Sequence, residues 1–146
     1  ALDRWEAVKR STKNQETFTQ TLESVPKAFP ALMRAQKVQK RAAKAGFDWS
    51  EMSGALEKVK EEADELLWAT EKTAVEELGD LLFSVVNVSR FLGIDSELAL
   101  QKATDKFTSR FAGVEALATQ RGLDMKTASL AELDALWDEV KQRNSR

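Results

Sequence analysis

The sequence of 146 residues contains no cysteine, no histidine and only two prolines. Without cysteine, disulfides and thiolate metal sites are excluded, and we predict a cytoplasmic location. Without histidine, carboxylates are left as the main side chains that could hold a metal ion. The shortage of proline, together with 42% hydrophobic and 32% charged residues, is typical of a helical protein.

Two further features are missing from the sequence. No apolar run is long enough to cross a membrane, so we predict no membrane partner. The formal net charge is −2, whereas a general nucleic-acid binder carries a marked positive charge, so we predict no nucleic-acid partner. The length is sufficient for one domain with a hydrophobic core.

The segment from Glu77 to Asn87 is apolar except along one line. On a helix, Glu77, Asp80, Ser84 and Asn87 fall at i, i+3, i+7 and i+10 and form one polar stripe. The remaining positions are mostly leucine, valine and phenylalanine, which predicts a helix that is buried on nearly all sides. Burying unpaired carboxylates costs on the order of several kcal/mol. The stripe therefore predicts a cationic partner.

A second acidic cluster, Glu61-Glu62-Ala63-Asp64-Glu65, lies upstream among strong helix formers. Glu62 and Glu65 are i, i+3 neighbours and share a face. The short connection Thr70 to Thr73 predicts antiparallel helices, so that the two carboxylate pairs face each other. Carboxylate ligands without histidine favour a hard cation such as Mg²⁺ or Mn²⁺. Alone, this acidic cluster would be more typical of a solvated helix face.

Helix ends are marked by glycine and by capping residues. Gly46 and Gly93 predict the ends of two helices. The capping box Ser129-x-x-Glu132 predicts the start of the last helix. The predicted bundle comprises two long antiparallel helices and the helices packed against them: Gly54 to Ala69, Lys72 to Leu92, and helices that begin near Ala31 and Ser96.

The acidic motifs resemble those of a known family. Glu61-Glu62-x-x-Glu65 followed by Glu77-x-x-Asp80 is similar to the EExxE…ExxD signature of the MazG-type nucleoside triphosphate pyrophosphohydrolases. The resemblance implies an all-α fold, an antiparallel helix bundle of the all-α NTP pyrophosphatase type that is completed by homodimerisation. It extends over about residues 25 to 143, through four further segments: Ala31–Arg41, Gly46–Trp49, Gly79–Phe83 and Leu100–Phe107.

The resemblance also implies a reaction. It implies Mg²⁺-dependent hydrolysis of a nucleoside triphosphate between the α and β phosphates, with release of the nucleoside monophosphate and pyrophosphate. Glu61 adjoins the site without being needed as a ligand and is a candidate general base. The implied metal ligands, for Mg²⁺ or Mn²⁺, are Glu62, Glu65, Glu77 and Asp80.

Five positions are predicted to bind the substrate. Lys106 and Arg110 match family positions that contact the nucleotide phosphates, although ordinary surface residues explain such a basic row equally simply. Lys37 belongs to another basic stretch that could face a polyphosphate. Trp49 is a candidate for stacking on the base, with plugging of the bundle end as the alternative, and Asn87 is a candidate for base recognition.

A weak repeat bears on domain organisation. Arg4–Lys9 is similar to Leu136–Lys141, which predicts that residues 1–24 are a linker or the tail of a preceding domain and that residues 25–146 form a MazG-like helical domain. An ordinary amphipathic end helix is the alternative. The polar, threonine-rich segment Asn14 to Ser24 is predicted to be a linker.

Two other functions stay open at this point. The chain could be a non-catalytic helical dimerisation or adaptor module, with its carboxylates paired to lysine and arginine. It could also be a narrower relative that acts on a deoxynucleotide or a phosphoribosyl-nucleotide. Stabilisation by Mg²⁺ distinguishes a metal enzyme from an adaptor, because carboxylates in salt bridges gain nothing from the ion.

Overall fold

The computed structural model describes residues 17–145, which form α-helices and contain no strand. The predicted all-α class is therefore confirmed. Residues 1–16, with the first copy of the weak repeat, lie outside the described residues, so the domain boundary stays a prediction. The helices are α1 Phe18–Glu23, α2 Ala31–Lys44, α3 Met52–Leu67, α4 Ala74–Phe91, α5 Ser96–Gln120 and α6 Leu130–Asn144.

The chain divides into two compact units, and the boundary lies between Glu97 and Leu98, near the start of α5. The first unit contains α1 to α4, and the second contains most of α5 together with α6. Within the described range, none of the helices has the length and apolar character of a membrane span.

Glycine and a capping box set the helix ends at the predicted places. Gly46 and Gly93 follow α2 and α4 with φ of 95° and 67°, a left-handed conformation that glycine adopts without steric cost. At the start of α6, Ser129 Oγ accepts a hydrogen bond from the Glu132 N–H at 3.1 Å. The Glu132 side chain in turn accepts from the Ser129 N–H, which completes the capping box.

The segment predicted as a linker contains α1. Thr17 and Gln20 form a capping box, in which Thr17 Oγ1 accepts from the Gln20 N–H at 3.1 Å. Arg41 of α2 donates to Thr21 O and to Ser24 Oγ, both at 2.6 Å, and so ties α1 to α2. The linker prediction is therefore wrong for α1, because the polar composition concealed a T-x-x-Q capping box.

The first unit is built around the pair α3 and α4. These helices pack along each other and run antiparallel because their connection, residues 68–73, is short. The buried residues Ala55 and Val86 belong to this pair, and α2 packs against α4.

Gln36 of α2 accepts from the Ser96 N–H and Oγ–H at 2.9 and 2.7 Å and donates to Ile94 O at 2.8 Å. These bonds fix α2 to the start of α5.

The second unit has its own apolar core. Its α5 and α6 approach closely at Gly113, where a Cβ would lie 3.0 Å from Val140 Cγ1. The ring of Phe107 lies beside that of Trp137, with 5.4 Å between the centroids. The buried core residues are Val114, Leu117, Ala118, Leu136 and Val140.

In the single chain, α4 is not buried on nearly all sides. The prediction of a fully buried helix is therefore wrong for the single chain. The side of α4 that is buried instead carries Ser84 and Asn87 of the polar stripe, together with Val86. The Ser84 and Asn87 end of the polar stripe therefore faces the interior of the first unit, whereas Glu77 is half-buried and Asp80 is exposed. The side chains left between 44% and 50% exposed are Leu78, Leu82, Phe83 and Val85.

Candidate metal and nucleotide site

Three of the four predicted metal ligands lie together. One carboxylate oxygen from each of Glu62, Glu65 and Glu77 lies within 4.8 Å of the other two. The antiparallel pairing explains the cluster, because the short connection places the end of α3 beside the start of α4. Glu62 is buried, Glu77 is half-buried and Glu65 is exposed. We call these three residues the carboxylate cluster.

The carboxylate cluster contains oxygens that lack a partner. Glu62 Oε1 lies 3.0 Å from Lys58 Nζ. In contrast, Glu62 Oε2 and Glu77 Oε2 are buried and accept no hydrogen bond from residues 17–145. A buried unsatisfied carboxylate oxygen is costly, and a divalent cation supplies the partner that such oxygens need. The cluster could therefore hold a metal ion.

The close approach of the carboxylates raises the pKa of Glu65. The adjacent Glu77 carboxylate, with which Glu65 can share a hydrogen bond only when protonated, and the charge of Glu62 raise the pKa of Glu65 to about 7. Carboxylates that crowd together in this way compete for protons in the absence of a cation. This behaviour is expected of a metal site, because a bound cation would favour the ionised form.

A cavity of about 750 Å³ opens beside the carboxylate cluster in the first unit. Glu62 of the cluster and Asp80, the fourth predicted ligand, both line it. Asp80 lies one helical turn after Glu77 on α4 but is not part of the cluster. The cavity has the volume of a small-molecule site, and most of its wall is apolar, with a few polar groups.

The loop between α2 and α3 closes one side of the cavity. Trp49 of this loop lines the cavity and rests on the start of α3, where a Cβ on Gly54 would lie 2.6 Å from Trp49 Cδ1. Glycine at position 54 is therefore required for the indole to lie in this place. Trp49 is thus placed at the cavity, and its two predicted roles, stacking on a ligand and covering the bundle end, stay predictions.

A polar network that the sequence interpretation missed joins this loop to α4. Arg90 Nη1 and Nη2 donate to Asp48 Oδ2 and Oδ1 at 3.0 and 2.6 Å, and Nη2 also donates to Asn87 Oδ1 at 3.1 Å. The hydrogen bond from Arg90 lowers the pKa of Asp48 below its usual value. Asn87 is buried in the cavity wall, as its place on the polar stripe indicates. The i, i+3 spacing of Asn87 and Arg90 on one helix was the sequence signal that could have predicted their hydrogen bond.

Lys58 is a second residue that sequence reasoning missed. It lines the cavity, and its Nζ lies 3.0 Å from Glu62 Oε1 and 3.6 Å from Glu61 Oε2. The signal was its position four residues before Glu62 on the same helix. Glu61, the candidate base, has a side chain that is 60% exposed and is not part of the carboxylate cluster.

The three predicted phosphate-binding residues belong to α2 and to the second unit. Lys37 is exposed on α2 with its Nζ 5.8 Å from the centre of the Phe29 ring, and it is not among the described residues that line the cavity. Lys106 and Arg110 belong to the second unit, where Arg110 lies over the Trp137 ring at 5.7 Å and Lys106 is exposed.

Comparison with known sequences identifies similar proteins. Residues 50–114 match the sequence model of the MazG nucleotide pyrophosphohydrolase domain. The chain is 43% identical over 148 residues to the nucleoside triphosphate pyrophosphohydrolase of Escherichia coli strain K12. It is 41% identical over 138 residues to the nucleoside triphosphate pyrophosphohydrolase/pyrophosphatase MazG of Thermotoga maritima. It is also 42% identical over 150 residues to the uncharacterised protein YabN of Bacillus subtilis strain 168.

These matches cover most of the chain but only part of each relative. They include 97% of the chain and 56% of the Escherichia coli protein, and 94% of the chain and 54% of the Thermotoga maritima protein. The match to YabN includes 99% of the chain and 30% of YabN. The chain thus spans about half the length of the first two relatives.

Proposed function

Since this chain belongs to the MazG nucleotide pyrophosphohydrolase family, we propose that it hydrolyses nucleoside triphosphates at the α–β phosphate bond. The products are the nucleoside monophosphate and pyrophosphate. The Escherichia coli and Thermotoga maritima relatives are both named nucleoside triphosphate pyrophosphohydrolases, which supports this proposal. The observation that carries it is the carboxylate cluster, which contains buried, unpartnered oxygens and whose Glu62 lines a cavity of about 750 Å³.

The proposed metal is Mg²⁺, with Mn²⁺ as a substitute. Glu62, Glu65 and Glu77 would hold it, and Asp80 would complete the ligand set from the next turn of α4. When bound, the ion neutralises phosphate charge and polarises the phosphoryl group. Glu61 stays the candidate general base. Its side chain is exposed to solvent, from which a water nucleophile would come.

The cavity is proposed to take the nucleoside part of the substrate. Its apolar walls suit a base and a sugar, Trp49 offers an aromatic face, and Asn87 offers an amide. Lys58 at the cavity wall is placed to meet a phosphate once a cation shares the charge of Glu62. The phosphate contacts of Lys37, Lys106 and Arg110 stay predictions, as does a cytoplasmic location.

The adaptor alternative is less well supported. It requires the carboxylates to be neutralised by lysine and arginine. Only Glu62 of the cluster has such a partner, Lys58, among the ion pairs of the described residues. Glu65 and Glu77 have none there, and the pKa of Glu65 is raised, chiefly by the hydrogen bond with Glu77, whereas pairing with a cationic side chain would lower it. Restriction to deoxynucleotides or to phosphoribosyl-nucleotides remains an alternative within the enzyme class.

Product analysis tests the proposed function. We expect incubation with a mixture of the common nucleoside triphosphates and Mg²⁺ to yield nucleoside monophosphates and pyrophosphate in equal amounts, as resolved by anion-exchange chromatography. Omission of the metal should stop the reaction. Release of diphosphates and inorganic phosphate would place the cleavage at the wrong bond. Failure to cleave any of the triphosphates would contradict the proposal.

We also propose that the chain forms a homodimer. On α4 the exposed apolar residues Val75, Leu78, Leu82 and Val85 fall at i, i+3, i+7 and i+10 and form one stripe. A contiguous apolar face of this kind is unusual on a monomer, and a second copy of the chain would cover it.

Analytical ultracentrifugation at micromolar concentration tests the dimer. We expect the wild type to sediment as a dimer and the variant Leu82→Glu to shift towards a monomer, because a charge on the covered face would be desolvated. The exposed loop variant Lys126→Glu, which carries a charge change outside this face, serves as the control. A well-folded monomeric wild type would contradict the prediction.

A further inference from the structure

Gln39 of α2 is a buried polar residue in the cavity wall, only 5% exposed. Its Nε2 donates a hydrogen bond to Phe83 O at 2.8 Å. A backbone carbonyl can only accept, so this bond fixes which end of the amide faces Phe83. Gln39 Oε1 is the other end, and it accepts no hydrogen bond from any residue between 17 and 145.

Two neighbouring polar side chains in the cavity wall are already engaged, whereas Arg90 Nε and Glu62 Oε2, from two other lining residues, have no partner among residues 17–145. Ser84 Oγ donates to Leu81 O at 2.7 Å, and Asn87 Oδ1 accepts from Arg90 at 3.1 Å. Gln39 Oε1 is thus a neutral acceptor that is held in place by the bond of its own Nε2 and is left unsatisfied. Native proteins leave few buried acceptors unsatisfied, so Gln39 Oε1 needs a hydrogen-bond donor.

We infer that Gln39 Oε1 accepts a hydrogen bond from the base of the bound nucleotide. The inference rests on the proposed function, because Glu62 and Asp80 line the same cavity and would place the phosphates at their end of it. The base then occupies the remaining, mostly apolar part. A neutral acceptor there stabilises an N–H donor without attracting a cation.

The partner of Gln39 is a donor that every common base provides. Adenine and cytosine carry an exocyclic amino group, and guanine, uracil and thymine carry a ring N–H. A single acceptor therefore anchors any of these bases but does not by itself choose among them. Gln39 is a positioning contact for the base, with no part in phosphoryl chemistry.

Calorimetric titration with two product-like ligands tests the contact. Purine riboside 5′-monophosphate is AMP without its 6-amino group, and neither ligand is turned over. In the presence of Mg²⁺, we expect wild type to bind AMP roughly tenfold more tightly than purine riboside monophosphate, the ratio that one hydrogen bond supports. In Gln39→Leu the two affinities should become equal.

The ratio of affinities separates this contact from a structural effect. Gln39→Leu also removes the bond to Phe83 O, but that loss affects both ligands alike. Gln36→Leu on the same helix, which loses bonds to Ile94 and Ser96 and does not line the cavity, should keep the wild-type ratio. The wild-type ratio needs no variant and stands even if Gln39→Leu does not fold.

Each other outcome overturns the inference. Equal affinities in the wild type would mean that the amino group meets no acceptor, even if the protein cleaves ATP to AMP and pyrophosphate. An unchanged ratio in Gln39→Leu would assign the contact to another residue. If AMP does not bind and ATP is not cleaved, the proposed function fails and the inference with it.

Discussion

Replacement of Glu77 by glutamine is expected to abolish pyrophosphate release and to raise the melting temperature of the metal-free protein. Glu77 Oε2 is buried without a partner among residues 17–145, and its carboxylate lies close to those of Glu62 and Glu65. An amide keeps the shape, removes one of the repelling charges and can donate to a neighbouring carboxylate. It also weakens the site for a divalent cation.

The expected loss of activity is large. Mutation of a residue that only supports a metal ligand lowers metal affinity or activity by about 10- to 100-fold. Loss of a ligand itself should therefore lower the activity by more than about 100-fold. Glu76→Gln is the matched control, because Glu76 adjoins Glu77 in the first turn of α4, is exposed and lies outside the cluster. It should change neither property. A Glu77→Gln protein that melts well below the wild type would indicate that Glu77 is paired in a structural ion pair.

The stability of the metal-free protein is expected to fall as the pH rises from about 5 to about 8. The folded pKa of Glu65 is raised to about 7 from 4.5, so the folded state holds this proton more tightly than the unfolded state does. This stabilisation is complete at pH values below the pKa of Glu65 in the unfolded state. It is lost as the pH rises through the pKa of Glu65 in the folded state. Thermal melts across this range measure the fall.

Two comparisons identify Glu65 as the cause of the fall. Glu65→Gln should remove most of it, whereas Glu61→Gln on the same helix should not. Saturating Mg²⁺ should reverse the trend, because the ion binds the ionised carboxylates and stabilises the folded state by mass action. The groups with lowered pKa, Asp48 and Glu139, lose their contribution only at more acidic pH and do not affect this window. A flat stability profile without metal would contradict the prediction.

The carboxylate cluster could be predicted because it depends on local rules. Helical spacing places Glu62 and Glu65 on one face, and a short connection brings Glu77 of the next helix beside them. The helix ends at Gly46 and Gly93 follow equally local backbone preferences.

Features that depend on the packing of distant segments were missed. The ion pair of Asp48 and Arg90 joins residues 42 positions apart, and no periodicity relates a loop residue to a helix residue at that distance. The exposure of Leu78 and Leu82 depends on which surfaces the rest of the chain covers, which an apolar pattern alone does not specify. Composition also misled at α1, where threonine-rich sequence and a capping box coincide.

Binding of Mn²⁺, followed by electron paramagnetic resonance and displaced by Mg²⁺, tests whether the carboxylate cluster holds a divalent cation. We expect saturable binding to the wild type and to Glu76→Gln, displacement by Mg²⁺, and loss of that binding in Glu77→Gln. Because the signal reports the ion itself, the result does not depend on the choice of nucleotide. Equal binding to Glu77→Gln, or no saturable binding to the wild type, would contradict the assignment of the carboxylate cluster as the metal site.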